Sequence, residues 1–283
     1  MDRALRRLAR QPEPPWLHGE VARRMAERLA LVKLQPARIV DWWSWLGGGA
    51  SLLREAYPKA EIVAVEPNDA WVQRQREAQR TPWWSLRRRG IEVVRDGDAL
   101  GAPAQLVWAN MMLHAVKDPP ALISRWHAAL AADGFVMFST FGPDTLRELR
   151  DLYARLGWPA PTPAFVDMHD LGDMLLHAGF ADPVMDQETL TLTWATSQAL
   201  LAELRSLGGN IAPARMAGLR TPRWRARLED ALHALAGPDG RLTASFEIAY
   251  GHAFKGLPRV RPGAPTTVSV EQMRTLIRSG RQH

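Results

Sequence analysis

Apolar positions along the chain keep two different periods. Val21, Ala22, Met25, Ala26, Leu29 and Ala30 recur at helical spacing between Arg23, Arg24, Glu27 and Arg28, which predicts an amphipathic helix over 18–34, stopped by Pro36. Short apolar runs then alternate with helical ones: strand 38–42, helix 50–57, strand 61–66, helix 68–79, strand 91–95, strand 105–109, helix 119–132 and strand 135–140, with Asp133-Gly134 turning the chain before the last. Alternation of this kind predicts a mostly parallel sheet covered by helices on both faces. Later the pattern changes. Residues 170–178 read as a helix ended by Gly179, 184–194 as a long strand, 197–235 as a helical block broken by Gly208-Gly209 and Pro222, and 244–254 as a last strand. Two strands around a helical insertion predict an antiparallel edge pair with the insertion laid over the sheet. The expected organisation is an N-terminal helical segment (1–35, its first twelve residues basic and mobile), a core (36–196), an insertion (197–243), a final core strand (244–257) and a loosely held tail (258–283) with a short helix near 270–277.

Composition narrows the class. The chain has 283 residues, 46% of them hydrophobic, enough for a sizeable core, and no apolar run approaches the roughly 20 residues that span a bilayer. No apolar stretch follows the basic N-terminus, so a soluble, cytoplasmic protein without a signal peptide is expected. Cysteine is absent, which excludes disulfides, thiol nucleophiles and cysteine-ligated zinc. The net charge of +6 is carried mainly by arginines spread along the chain. That spread favours an acidic protein or small anion as partner over nucleic acid. The densest basic and aromatic cluster, Trp83, Trp84, Arg87, Arg88 and Arg89, reads as an exposed connector, with base stacking as the competing reading.

In open α/β sheets, ligands bind beyond the carboxyl ends of the central strands. Four tips qualify: Asp41, Glu66, the Gly97-Asp98-Ala99 turn and Asn110. Asp41 leads into a turn holding Gly47, Gly48 and Gly49, and then a helix. Glycines let the backbone approach a ligand, a helix N-terminus is electropositive, and an acid at the second tip can accept from both ribose hydroxyls. An adenosyl ligand would use Glu66 for the ribose, Asp98 for the adenine amino group and Asn110 beside the reacting centre. Any one of these tips alone reads as a turn residue or helix cap; the ordered set points to a nucleotide site. A nicotinamide-dependent oxidoreductase uses similar parts, but no Gly-x-Gly-x-x-Gly follows the first strand. His114 is a candidate general base, weighed against an ordinary packing histidine, and the other histidines show no metal-ligand spacing, so no metal is expected. Residues 138–146 pass from strand to helix, with Asp144 or Thr145 as cap and Thr140 and Phe141 placed to line a substrate channel.

A more specific reading comes from Leu17-His18-Gly19-Glu20-Val21, Ala109-Asn110-Met111-Met112-Leu113-His114, Phe138-Ser139-Thr140-Phe141-Gly142-Pro143-Asp144-Thr145-Leu146, Val166-Asp167-Met168-His169-Asp170 and Leu204-Arg205-Ser206-Leu207-Gly208-Gly209-Asn210. In this order they look like a Rossmann-like class I S-adenosylmethionine-dependent methyltransferase. Within that superfamily the chain resembles the malonyl-acyl-carrier-protein O-methyltransferases of biotin synthesis, from about Leu17 to Phe254. The resemblance implies a seven-stranded, mostly parallel sheet with an antiparallel edge pair. It implies S-adenosylmethionine as cofactor, bound by Asp41, Gly47, Gly48, Gly49, Glu66, Asp98 and Asn110. It also implies methyl transfer to the free carboxyl of malonyl on an acidic acyl carrier protein; the resemblance does not say which arginine holds the substrate, and Arg147, Arg205 and Arg215 are candidates by their segments beside Thr140 and Phe141.

The family's cofactor loop reads Asp-x-Gly-x-Gly-x-Gly. Asp41 and Glu66 keep its spacing, yet only Gly47 falls on a glycine position, and Trp43 and Trp45 hold the other two. An indole at the close-approach position collides with the methionine portion of the cofactor. Either Gly47-Gly48-Gly49 rebuilds the turn or the tryptophans rotate away and pack. A chain that does neither keeps the fold as a non-catalytic binding or assembly factor; a methyltransferase with another acceptor is the remaining alternative. Gln105 stands where an acid is usual before the fourth strand.

Overall fold

In the computed structural model, residues 2–9, 11–79, 91–212, 215–216, 218 and 220–256 are described. Seven strands, β1 (Arg38–Trp42), β2 (Glu61–Glu66), β3 (Glu92–Arg95), β4 (Ala104–Ala109), β5 (Leu130–Phe141), β6 (Phe180–Trp194) and β7 (Leu242–Lys255), form one sheet in the order β3-β2-β1-β4-β5-β7-β6. β1 to β5 run parallel, and β7 lies antiparallel to both β5 and β6. The order reverses between β1 and β4, which is where such sheets open a crevice at their carboxyl ends.

Ten helices flank the sheet: α1 (Asp2–Leu8), α2 (Trp16–Leu29), α3 (Ser44–Gly47), α4 (Ala50–Ala56), α5 (Asp69–Ala78), α6 (Pro119–Ala129), α7 (Arg147–Arg155), α8 (Met168–His177), α9 (Ser197–Ser206) and α10 (Pro222–His233), counted among the described residues. Alternate strand residues point to opposite faces. Ile39, Ile62, Leu106 and Phe135 therefore pack with Leu17, Val21 and Met25 of α2 and Leu53 of α4. Val40, Val63, Val107 and Phe138 pack with Leu122, Ile123 and Trp126 of α6 and Leu171 and Leu175 of α8. α9 and α10 occupy the β6–β7 connection, as the helical block predicted.

Four local expectations are corrected. The N-terminus is helical rather than mobile: Leu5 and Leu8, one turn apart, are buried beside Trp43 and Trp45, and the Arg74 guanidinium donates to the carbonyls of Ala9 and Gln11. Helix α6 ends at Ala129 and β5 begins at Leu130, because Asp133 at φ 61° and Gly134 bend within the strand instead of ending a helix. β6 starts four residues early, through a register shift between Ala181 and Val184 that absorbs Pro183. Neither Asp144 nor Thr145 caps α7. The Thr145 hydroxyl instead donates to the Glu247 carbonyl, and Leu146, at φ 56°, precedes the helix without a side-chain cap.

The aromatic and arginine cluster at 83–89, the tail beyond 256 and the helix expected near 270–277 lie outside the described residues. Among the described residues no helix is long and apolar enough to cross a membrane, and no group of three or more metal-ligating side chains converges.

Candidate active site

The carboxyl ends of β1 and β2 each present an acid removed from solvent. Asp41 accepts a hydrogen bond from the Ser44 hydroxyl at 2.6 Å, and the Gln75 amide donates to that hydroxyl at 3.3 Å. Glu66 accepts from the Trp45 backbone N–H at 2.8 Å through Oε1. The second oxygen of each acid, Asp41 Oδ1 and Glu66 Oε2, is buried without a partner. Burial raises both groups, Asp41 to about 7 against the pull of Ser44, and Glu66 to about 8 with the charge of Asp41 adding to the effect. Burying an unpaired carboxylate oxygen costs stability, and an incoming hydrogen-bond donor repays it.

The turn between β1 and α4 is rebuilt. Trp43 takes the left-handed conformation at φ 54° and its N–H extends the β1–β2 ladder to the Val65 carbonyl at 2.7 Å. Ser44–Gly47 then coil into α3, and Gly48 at φ 64° reverses the chain into α4. Both tryptophans have packed. Trp45 meets Trp71 edge-on at 5.2 Å, with the Arg74 guanidinium 4.0 Å above its ring. Trp43 sits with Leu8, His18, Leu46, Met111 and His114 around a cavity of only about 20 Å³. Gly49 is fixed by packing rather than by a ligand: a Cβ there would stand 2.4 Å from Trp108 Nε1. Gly49→Ala is expected to cost about 1–3 kcal/mol in chemical denaturation, since the buried indole has no room to retreat.

Asn110 lies fully buried at the β4 tip as a tie between elements. Its amide donates to the carbonyls of Gly47 at 2.7 Å and His18 at 2.8 Å and accepts from the Ser139 hydroxyl at 2.6 Å. A Cβ on Gly47 would meet Asn110 at 3.4 Å, an ordinary contact distance, so packing alone does not demand glycine there. Asp98, unlike Glu66, is exposed, and it accepts from the Arg95 backbone and guanidinium. It borders a separate cavity of about 300 Å³ with Trp42, Val65 and Arg125.

A cavity of about 580 Å³ lies between the sheet and the insertion. Its sheet-side wall includes His114, Phe141, Thr145 and Phe246, and its insertion-side wall Arg205, Arg220, Trp224 and Leu228. Thr140 is buried, its hydroxyl 3.4 Å from His114 Nδ1, and is not among the residues lining the cavity. The His114 ring rests 4.4 Å from Phe141, and burial, reinforced by His18, holds its pKa down to about 3. Arg205 lines the chamber, whereas Arg147 projects to solvent beside Glu148 and Arg215 donates to the Ala212 carbonyl. Sequence reasoning missed Tyr153, Arg220 and Trp224. The signal present for the last two was Thr221-Pro222, a helix start followed by arginines where acids are usual.

Residues 16–182 match a family model described as "Methyltransferase domain". The malonyl-[acyl-carrier protein] O-methyltransferase of Gallionella capsiferriformans is 40% identical over 256 residues, covering 88% of this chain and 87% of that protein. The protein of the same name from Halorhodospira halophila is 41% identical over 250 residues, covering 87% and 83%. The chain belongs to the malonyl-[acyl-carrier protein] O-methyltransferase family. Among solved structures, the YcgJ protein of Bacillus subtilis aligns with a TM-score of 0.55 at 10% identity, over 84% of this chain and 99% of that one, a likeness of fold alone. The matches to the malonyl-[acyl-carrier protein] O-methyltransferase relatives span most of both chains, and the tryptophan loop lies within residues 16–182.

Proposed function

We propose that this chain transfers a methyl group from S-adenosylmethionine to the free carboxylate of malonyl carried on acyl carrier protein, an ester-forming step of biotin synthesis. The observation that carries the reading is the place of His114, which forms part of the wall of both the 580 Å³ chamber and the small cavity under Trp43. The substrate space thus adjoins the glycine turn. The residues present fit the donor: Glu66 Oε2 is a buried, unpaired acceptor at the β2 tip, suited to ribose hydroxyls, and Asp41 with the Gly47–Gly49 turn completes the cradle. The space of about 20 Å³ beside Trp43 and Leu8 is far below the several hundred Å³ a nucleoside commonly fills, so donor binding requires those side chains to move.

The cofactor, when bound, supplies a methyl group already activated by a sulfonium. The chain's own residues supply alignment and dryness. A malonyl carboxyl with an ordinary pKa of about 4 is ionised at neutral pH and needs no base. Held in a cavity walled by Phe141, Phe246 and Leu228, it loses competing water, and positioning supplies the rate advantage. His114 stays neutral there and acts as a wall and hydrogen-bonding group.

Calorimetric titration with S-adenosylmethionine, followed by methylation of malonyl-carrier protein, tests the reading; a folded protein that binds no donor would overturn it. Two further results are expected. Donor binding shifts the intrinsic tryptophan emission, and Trp43→Phe removes part of that shift. The turnover number stays flat from about pH 5.5 to 7, because a group held near 3 does not titrate there. A limb near pH 6.5 that disappears in His114→Gln would instead make His114 the base.

A further inference from the structure

The insertion side of the chamber holds an unusual concentration of positive charge at a helix start. Thr221 caps α10 through its hydroxyl, which accepts from the Trp224 N–H at 3.2 Å, and Pro222 follows at the first turn. No acid stands in that turn; Arg223, Arg225 and Arg227 follow instead. Cations at the positive end of a helix oppose its dipole, so this arrangement is stabilised by an anion from outside. Arg225 is compensated by Glu229 at 2.8 Å. Arg220 is not: among the described residues no carboxylate pairs with it. Its guanidinium lies 4.1 Å over the Trp224 ring and its positive charge is felt by Tyr153, another wall residue. Trp224 is itself wedged against Trp158 at 4.9 Å, and its indole N–H is buried without a partner. The result is a guanidinium stacked on an aromatic shelf at the border of a large cavity, its Nη1 also donating to the Met216 sulfur at 3.1 Å.

We propose that Arg220, steadied on Trp224 at the start of α10, anchors the phosphodiester of the pantetheine arm that delivers the acyl group. This inference rests on the carrier-borne substrate of the preceding reading. Its alternative target would be the malonyl carboxylate, and two arguments exclude it. The reacting carboxylate must meet the donor across the His114 wall, on the sheet side, whereas Arg220 belongs to the insertion. A guanidinium clamped on the reacting oxygens would also stabilise the ground state more than the transition state and slow the transfer. A phosphodiester is a permanent anion, is not consumed in the reaction, and matches the planar fork of arginine. The helix start then adds its field to the same group. Binding energy gathered at the phosphate is remote from the chemistry and serves to hold the acyl end in place.

The test is a binding comparison on the full chain with 4′-phosphopantetheine and pantetheine, read by calorimetry or tryptophan emission, for the wild type, Arg220→Ala and Arg220→Lys. A charge-assisted hydrogen bond to phosphate is worth about tenfold or more in affinity, so the wild type is expected to prefer the phosphorylated arm by at least that factor. Arg220→Ala brings the ratio to about one, and Arg220→Lys restores part of it. A wild type without the preference overturns the proposal, as does an alanine variant that keeps it or weakens both ligands equally. Methylation of malonyl-carrier protein by the wild type is scored separately. A phosphate preference carried by Arg220 in a protein that methylates no malonyl thioester would sustain the anchor and sink the methyl-transfer reading. Methylation without the preference would do the reverse.

Discussion

Replacing Gly251 by alanine is expected to lower the unfolding free energy by about 3–5 kcal/mol and the midpoint temperature by about 10 °C. Gly251 lies in β7 directly opposite Phe138 of β5. A Cβ there would fall 2.2 Å from one carbon of the Phe138 ring and 2.3 Å from the next. Such a contact requires movement. The ring has nowhere to go: Phe138 is fully buried, with Trp126 packed 5.6 Å from it on the α6 side. Nor can β7 shift freely, since it is hydrogen-bonded on both sides, to β5 and to β6. Chemical denaturation followed by circular dichroism measures the effect. The companion variant Gly251→Ala with Phe138→Leu vacates part of the ring's volume and is expected to recover some of the loss. An alanine variant as stable as the wild type would show that the strand pair yields more easily than its packing indicates.

Gly251 also shows which features of the fold were legible. Periods of two and near four along the chain are local, so the β–α alternation and the helical insertion could be read directly. The late antiparallel pair rested on the change of pattern after residue 170 and on the family resemblance, because the helical block between 184–194 and 244–254 is long enough for a parallel crossover. A glycine that makes room for a ring more than a hundred residues away is not local, and no pattern marks it. The N-terminal helix was missed for a related reason. Leu5 and Leu8 give only one turn of periodicity, and what fixes them is the distant wall of Trp43, Trp45 and Trp71.

The site divides along the same line. Asp41 and Glu66 could be named because an acid at a strand tip is a positional signal, and the fold places both there, buried, with one unpaired oxygen each. The fate of the tryptophans was open because it depends on long-range partners. Trp45 is held by Trp71 and Arg74, and Trp43 by its left-handed backbone and the core beneath α1. Asn110 looked like a ligand contact from its place after β4, yet its amide is engaged in holding α2, the glycine turn and β5 together. Arg147 and Arg205 were indistinguishable as letters. Only the docking of α9 sets Arg205 in the chamber wall, while α7 turns Arg147 toward solvent.

Glu66→Gln is expected to abolish binding of the methyl donor and, in the free protein above neutral pH, to make the fold more stable. The acid's pKa is about 8 when folded against an ordinary value of 4.5, chiefly because burial disfavours its charge. A raised folded pKa means that the folded state holds its proton longer than the unfolded chain does. Stability from this group is therefore complete below about pH 4.5 and is lost as pH rises toward 8. Asp41, raised to about 7, acts in the same direction over a lower range. Glutamine keeps the shape and the acceptor for the Trp45 N–H but cannot ionise. Its buried amide hydrogens cost part of the gain, so a net benefit of about 1–3 kcal/mol near pH 8.5 is expected, shrinking to nothing near pH 5. Melting curves of both proteins across that range test the sign: the two midpoints should separate as pH rises, with the variant higher. Curves that stay parallel would mean Glu66 is neither desolvated nor strained in the free protein. A carboxyl held neutral by burial until a ligand supplies the hydrogen bonds that favour its charge is what a binding acid requires. Loss of donor affinity together with gain of stability in this one variant would separate that role from a structural one.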